Sequence, residues 1–246
     1  MKKDLFSKKE QLLKSLELYK LANFLIDSKL IRKDLYWSSL FRRHTTQLLI
    51  KHFGPTYGGH LINKPTGNLG FGLIHYSLIN ILKPKRILCL GSQRGFIPAI
   101  CALACKDNQY GQVDFVDAGK DVNDKNSWGG IGFWKQTDPQ KHFSILNLNP
   151  YISTYIITSQ QFAKKHQRKY QYIYIDADHS YPGVKADFKL FWPRLIKNGL
   201  ISFHDINATG KRQGIEFGVK KFWQELKIDN KISFCFKNDS LGIIQK

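Results

Sequence analysis

The residues best equipped for chemistry end two apolar runs. Ile-Tyr-Ile-Asp-Ala-Asp-His-Ser-Tyr spans 173–181, and Leu-Ile-Ser-Phe-His-Asp spans 200–205. Each run opens with β-branched and aromatic residues, the pattern of a buried strand. Each then stops abruptly in acids and imidazoles. Open parallel sheets bind their ligands beyond the carboxyl ends of their strands. As neighbouring strands, these two would aim Asp176, Asp178, His179, His204 and Asp205 at one crevice. Carboxylates and imidazoles so gathered can move a proton or hold a cation. Such a set suits an enzyme that must position and deprotonate a substrate.

A third strand end lies upstream. Arg-Ile-Leu-Cys-Leu-Gly-Ser-Gln-Arg-Gly-Phe, residues 86–96, reads as a strand, a tight turn and the start of a helix over about 97–106. Pro98 is tolerated in the first helical turn. A dinucleotide fingerprint needs Gly-x-Gly-x-x-Gly to bring a helix N-terminus to a pyrophosphate. Here Gln93 stands where the second glycine would be. That argues against a nicotinamide or flavin and for a nucleoside cofactor without a pyrophosphate, such as S-adenosylmethionine. Gly91, Ser92, Arg94 and Gly95 are then the expected cradle. The next strand, residues 112–118, carries Asp117, about 20 residues past the turn, where an acid usually holds a ribose hydroxyl pair. Its plainer alternative is to cap a local turn.

These residues carry a resemblance. The chain resembles class I S-adenosylmethionine-dependent methyltransferases. More narrowly, it is similar to the small-molecule and sugar O-methyltransferase branch, which has an Asp-x-Asp-His-Ser-Tyr strand end followed by a Gly-x-x-x-x-His-Asp strand. The similarity runs from about residue 59 to the C-terminus, rests mainly on 176–181 and 198–205, and is poor over the first 55 residues. It implies an α/β, Rossmann-like, seven-stranded sheet, mostly parallel, with a C-terminal antiparallel hairpin and helices on both faces. Strands at 231–237 and 241–246 around an Asn-Asp-Ser turn supply the hairpin. The resemblance also implies that Asn68, Gly70 and Gly72 touch the methionine end of the cofactor, that Ser159 and Gln160 touch its adenine, and that Asp176 borders it.

Methyl transfer from a sulfonium to an alcohol needs alignment and loss of the hydroxyl proton. Two devices achieve the second. Asp176, His204 and Asp205 could hold a divalent cation, magnesium or manganese, that stabilises the forming alkoxide. His179, with Asp178 as the other candidate, could accept the proton. Metal-dependent relatives carry an acid or amide where this chain has His204. Imidazole is a poorer ligand for magnesium, which prefers oxygen, so either the site holds manganese, iron or zinc, or it holds no metal and His204 has another role. His44, His52, His60, His75, His142 and His166 read as structural.

The flanking elements follow from periodicity. Residues 7–29 and 34–53 read as amphipathic helices, giving an N-terminal helical extension or cap over 1–58 and a methyltransferase domain over 59–246. The extension could also form the contact of a homo-oligomer. Residues 54–72 are a Gly- and Pro-rich loop, and 120–150 an insertion whose Ser-Trp-Gly-Gly-Ile-Gly-Phe-Trp stretch (127–134) could stack on an acceptor or cover the sheet edge. Helices are expected over about 184–195, with a kink at Pro193, and over 214–227, with Phe217 facing inward.

The chain has 246 residues and a net charge of +19. The lysines are scattered without an arginine-rich tract, so nucleic acid is the less favoured partner and an anionic acceptor would use the same charge. No apolar run is long enough to span a bilayer, and the charged N-terminus is unlike a signal peptide, so a cytoplasmic enzyme is expected. Cys89, Cys101, Cys105 and Cys235 lack metal-site spacing and read as small buried residues. An RNA methyltransferase, or a non-catalytic S-adenosylmethionine-binding protein of the same fold, are the other function classes.

Overall fold

Alternating apolar runs and glycine turns build a βα progression in the computed structural model, which describes residues 43–246 except 57–58, 122, 125–127, 213 and 237–238. In chain order the elements are α1 (Arg43–Phe53), α2 (Phe71–Leu82), β1 (Arg86–Leu90), α3 (Phe96–Asp107), β2 (Gln112–Asp117), α4 (Phe133–Gln136) and α5 (Pro139–Phe143). There follow β3 (Ile152–Ile156), α6 (Ser159–Lys165), β4 (Tyr170–Ile175), α7 (Tyr181–Phe191), β5 (Leu195–His204), β6 (Lys211–Arg212), β7 (Ile215–Glu216), α8 (Val219–Glu225), β8 (Lys231–Phe236) and β9 (Asp239–Gln245). The helix expected over 7–29, and the start of that expected over 34–53, lie outside the described residues.

Seven strands form one sheet in the order β3-β2-β1-β4-β5-β9-β8. β1 to β5 are parallel, β9 runs antiparallel to β5, and β8 to β9. This is the expected Rossmann-like, mostly parallel seven-stranded sheet, with its terminal antiparallel pair. The strand order reverses between β1 and β4, which opens a crevice there at the carboxyl ends.

Side-chain alternation feeds a layer on each face. Leu88 and Leu90 of β1 join Ile173, Ile175, Ile201 and Phe203 under Phe162 of α6, Phe191 of α7 and Phe222 of α8. Cys89 points the other way, against Cys101 of α3. α3 is buried from Phe96 to Cys105, which explains its nearly unbroken apolar sequence. Cys235 departs from the expectation of four buried cysteines: it is exposed on β8, an edge strand. α1 lies in the same compact unit as the sheet, which runs from Arg43 to Lys246. No helix among the described residues is long and apolar enough to cross a membrane.

Two helix expectations are corrected. α7 starts earlier than expected, at Tyr181, because the Ser180 hydroxyl accepts the Gly183 N–H and Pro182 sits in the first turn. It ends at Phe191, and Pro193 lies in a separate 3₁₀ turn rather than at a kink. The segment expected as a helix from 214 is the β6–β7 ribbon, with α8 beginning only at Val219. Phe217 precedes α8 and packs its ring edge-on against Trp128, at 4.8 Å between centroids.

Candidate active site

Five parallel strand ends surround one cavity of about 670 Å³, a volume usual for small-ligand sites. β1 contributes Gly91, Ser92 and Gln93; β2 contributes Asp117, Ala118 and Gly119; the end of β3 leads to Thr158, Ser159 and Gln160. β4 contributes Asp176, Asp178 and His179, and β5 His204 and Asp205.

The turn after β1 is shaped for close approach. Gly91 has φ +67°, and a Cβ there would stand 2.2 Å from the Asp176 carbonyl oxygen. Gln93, in place of a second glycine, takes the left-handed conformation at φ 46°. Its side-chain oxygen accepts the Thr56 N–H at 3.0 Å, tying the preceding loop to the turn. Strained backbone of this kind concentrates at functional sites. Asp117 Oδ1 accepts the Gly119 N–H at 2.8 Å. Burial, opposed by this bond and assisted by the Asp176 charge, lifts the Asp117 pKa to about 6. Ser159 opens α6 behind its Thr158 cap and donates to Asp187 Oδ1 at 2.5 Å.

Asp176, His179, His204 and Asp205 form a square of alternating charge. His179 Nε2 lies 3.1 Å from Asp176 Oδ1 and 3.2 Å from Asp205 Oδ2. His204 Nδ1 lies 3.3 Å from Asp176 Oδ1 and 3.4 Å from Asp205 Oδ1. Tyr174 donates to Asp176 Oδ2 at 2.8 Å. Burial opposes charge on all four, but their mutual attraction prevails. His179 rises to about 10, through its bonds to Asp176 and Asp205, and His204 to about 9. Both carboxyls fall below their ordinary value, Asp176 far below, chiefly because of the His204 charge. His179 Nδ1 is 2.9 Å from the Ala177 carbonyl oxygen, so it carries the hydrogen and Nε2 is the nitrogen facing the carboxylates. The expectation that His179 is neutral at pH 7–8 is therefore corrected in this arrangement: it is an imidazolium between two carboxylates. Asp178 lines the cavity and accepts the Ser180 N–H at 2.8 Å.

Other expected residues are placed around the cavity wall rather than in it. Arg94 offers its carbonyl oxygen to His142 Nε2 at 2.9 Å, and its guanidinium lies 5.4 Å from the Phe133 ring centroid. Gly95, just before α3, lies against Phe143 and Trp134. Both thus dock the 120–150 insertion, and Trp128, Gly130, Ile131, Gly132, Phe133 and Trp134 of that insertion line the cavity. Gly72 packs on Leu69 and Phe96. Asn68 accepts the Gly70 N–H at 2.9 Å, and a Cβ on Gly70 would fall 1.8 Å from the His60 carbonyl oxygen. These two residues build the turn that presents His60.

His60 is the functional candidate that sequence reasoning missed. Its ring centroid is 4.2 Å from that of His204, and it borders the cavity. Burial is the main cause that lowers its pKa to about 3. The only signal in the sequence was its place in a glycine-rich loop, where binding residues tend to gather.

The square has a measurable consequence for stability. A histidine whose folded pKa exceeds its unfolded value stabilises the fold fully below about 6.5 and loses that contribution as pH rises through the folded value. For His179 that loss is centred near 10. With EDTA present, the stability gap between wild type and His179→Gln is expected to be larger at pH 6.5 than at pH 10. Urea unfolding at the two values measures it. An unchanged gap would contradict the ion-paired geometry.

Residues 88–206 match the family model of a methyltransferase domain. No curated protein matches the chain in sequence. Among solved structures, the O-methyltransferase TomG from Streptomyces achromogenes, involved in tomaymycin synthesis and crystallised with S-adenosylmethionine, is 12% identical with a TM-score of 0.55, covering 86% of this chain and 95% of that one. An O-methyltransferase from Bacillus cereus, in complex with S-adenosylhomocysteine, is 15% identical with a TM-score of 0.52, covering 92% and 97%. A methyltransferase from Podospora anserina bound to S-adenosylhomocysteine is 13% identical with a TM-score of 0.55, covering 80% and 87%. At these identities the likeness speaks for the fold. The matched segment runs from within β1 to just beyond β5 and contains the strand ends around the cavity.

Proposed function

We propose that the chain is an S-adenosylmethionine-dependent O-methyltransferase acting on a hydroxyl of a small molecule or saccharide. One observation carries the proposal: a single cavity joins the Gly91 turn and Asp117 to the Asp176–His179–His204–Asp205 square. The cofactor would lie over Gly91 and Ser92, its ribose on Asp117 and its adenine beside Ser159 and Gln160. Its methyl group would then face the square. Structural neighbours crystallised with S-adenosylmethionine or its product support the choice of cofactor.

The acceptor would enter on the insertion side, where Trp128 stacks on His179 at 5.0 Å between centroids. Arg212 lies 5.9 Å from the Trp128 ring centroid, and Lys120 also borders the cavity. Aromatic walls suit a sugar or ring, and the two cations suit an anionic one. His179 orients the acceptor hydroxyl and would take its proton at Nε2 only once the proton already held there has left, as when a cation on Asp176 and Asp205 replaces it; Asp178 stands beside it as the other acceptor. Asp176, His204 and Asp205 offer two carboxylates and an imidazole, a donor set that fits a divalent cation. Such a cation, when bound, would stabilise a developing alkoxide.

Calorimetry with S-adenosylhomocysteine tests the proposal. Binding is expected, and Asp117→Ala should weaken it roughly 10–100-fold, the worth of a hydrogen bond to a charged group. Affinity should also fall below about pH 6 as Asp117 becomes protonated. Binding of NAD with none of S-adenosylhomocysteine would refute the proposal.

A further inference from the structure

Two imidazoles converge on the cavity from opposite sides of the chain. His60 comes from the turn before α2, and His204 from the end of β5. They are 5% and 9% exposed. His60 Nδ1 and His204 Nε2 are both buried with no hydrogen-bond partner among the described residues. Buried polar atoms are seldom left so, and each one calls for an explanation such as an ion. One nitrogen from each ring and a carboxylate oxygen of Asp176 all lie within 4.8 Å of one another. All three residues border the cavity, so an ion among them could be reached from solvent and would keep positions open to a ligand.

The local backbone is built to hold His60 there. His60 and Leu61 both have positive φ, 57° and 55°. Two successive non-glycine residues in that region are costly and persist only where the surroundings enforce them. The Phe71 N–H bonds the His60 carbonyl oxygen at 2.8 Å, and the Leu61 N–H bonds Asp239 Oδ2 at 3.3 Å. Asp176 is steadied from behind by Tyr174, the kind of outer support that metal-binding carboxylates receive.

We propose that His60, Asp176 and His204 bind a divalent transition ion in the iron-to-zinc range in preference to magnesium. Magnesium demands oxygen donors in a near-ideal octahedron, whereas imidazole suits iron, nickel, copper and zinc. Two imidazoles and one carboxylate with open positions match the second group. A small movement of the two rings closes the set, because ligands bound at about 2.1 Å from one ion stand no more than ~4.2 Å apart. The inference deepens the cation part of the function proposed above, but it concerns ion binding alone.

Co²⁺ titration of EDTA-stripped protein, followed by visible absorption, tests it. One equivalent should bind, a thousandfold excess of Mg²⁺ should fail to displace it, and Zn²⁺ should displace it. His60→Gln, checked for wild-type circular dichroism, should weaken Co²⁺ at least about 10-fold. X-ray absorption of the zinc-loaded wild type, which needs no variant, should show two imidazoles in the zinc shell. No Co²⁺ uptake, displacement by Mg²⁺, unchanged affinity in His60→Gln, or a shell with fewer than two imidazoles would each overturn the proposal. S-adenosylhomocysteine calorimetry reports separately on the cofactor, so a failure of either part is distinguishable from a failure of the other.

Discussion

Asp176→Asn is expected to lower kcat by roughly 10²–10⁴-fold with a competent acceptor, while the protein stays folded. The substitution preserves shape and removes charge. Asp176 Oδ1 faces both His179 Nε2 and His204 Nδ1, and Oδ2 accepts from Tyr174. An asparagine can keep its carbonyl oxygen toward the two imidazoles and turn its amide toward the tyrosine, whose hydroxyl can rotate to accept. What it cannot supply is the negative charge that orients both rings and complements any cation. A kcat within a few-fold of wild type, measured by methyl transfer at saturating cofactor, would remove Asp176 from the chemistry. A loss of circular dichroism would instead make it a structural residue.

His179→Ala is the second substitution with a large expected effect, again roughly 10²–10⁴-fold on kcat, with S-adenosylhomocysteine affinity nearly unchanged. An acceptor hydroxyl loses its proton only with difficulty near neutrality, so a group must be placed to receive it. Nδ1 is committed to the Ala177 carbonyl oxygen, which leaves Nε2 to receive it once the proton already there has been displaced, for example by a cation on the two carboxylates. In the ion-paired square Nε2 is protonated, with the pKa lifted to about 10. The His179 ring signals in a proton NMR titration of EDTA-treated protein should therefore show no transition between pH 6 and 8. A transition near 6.5 would contradict the ion pairing and restore an ordinary neutral base. Near-wild-type turnover in His179→Ala would shift the role to Asp178.

The sheet and most of the site were legible because they are local. β1, β4 and β5 announce themselves as apolar runs, and each carries its polar residues immediately at its end, where parallel topology delivers them to one crevice. The same logic places Asp117 and Ser159. What escaped was set by tertiary contact. His60 is a single histidine in a loop, and nothing in its neighbourhood shows that the turn through Asn68 and Gly70 will lay it against His204. Phe217 read as a helix residue because an apolar periodicity runs on into α8, whereas the β6–β7 ribbon interrupts it. Arg94 and Gly95 belong to a recognisable turn, but their contacts were decided by the insertion that packs over them, whose aromatic residues carry no fixed spacing. The charge on His179 was equally invisible, since it depends on Asp205 reaching it from the adjacent strand.

The most direct test of the central claim is a crystal structure of the protein with S-adenosylhomocysteine. The account predicts the ribose hydroxyls on Asp117, the adenine beside Ser159 and Gln160, the homocysteine over the Gly91 turn, and the sulfur directed toward His179 and Asp176. A nucleoside bound away from these strand ends, or a cavity that stays closed to the ligand at saturating concentration, would contradict it.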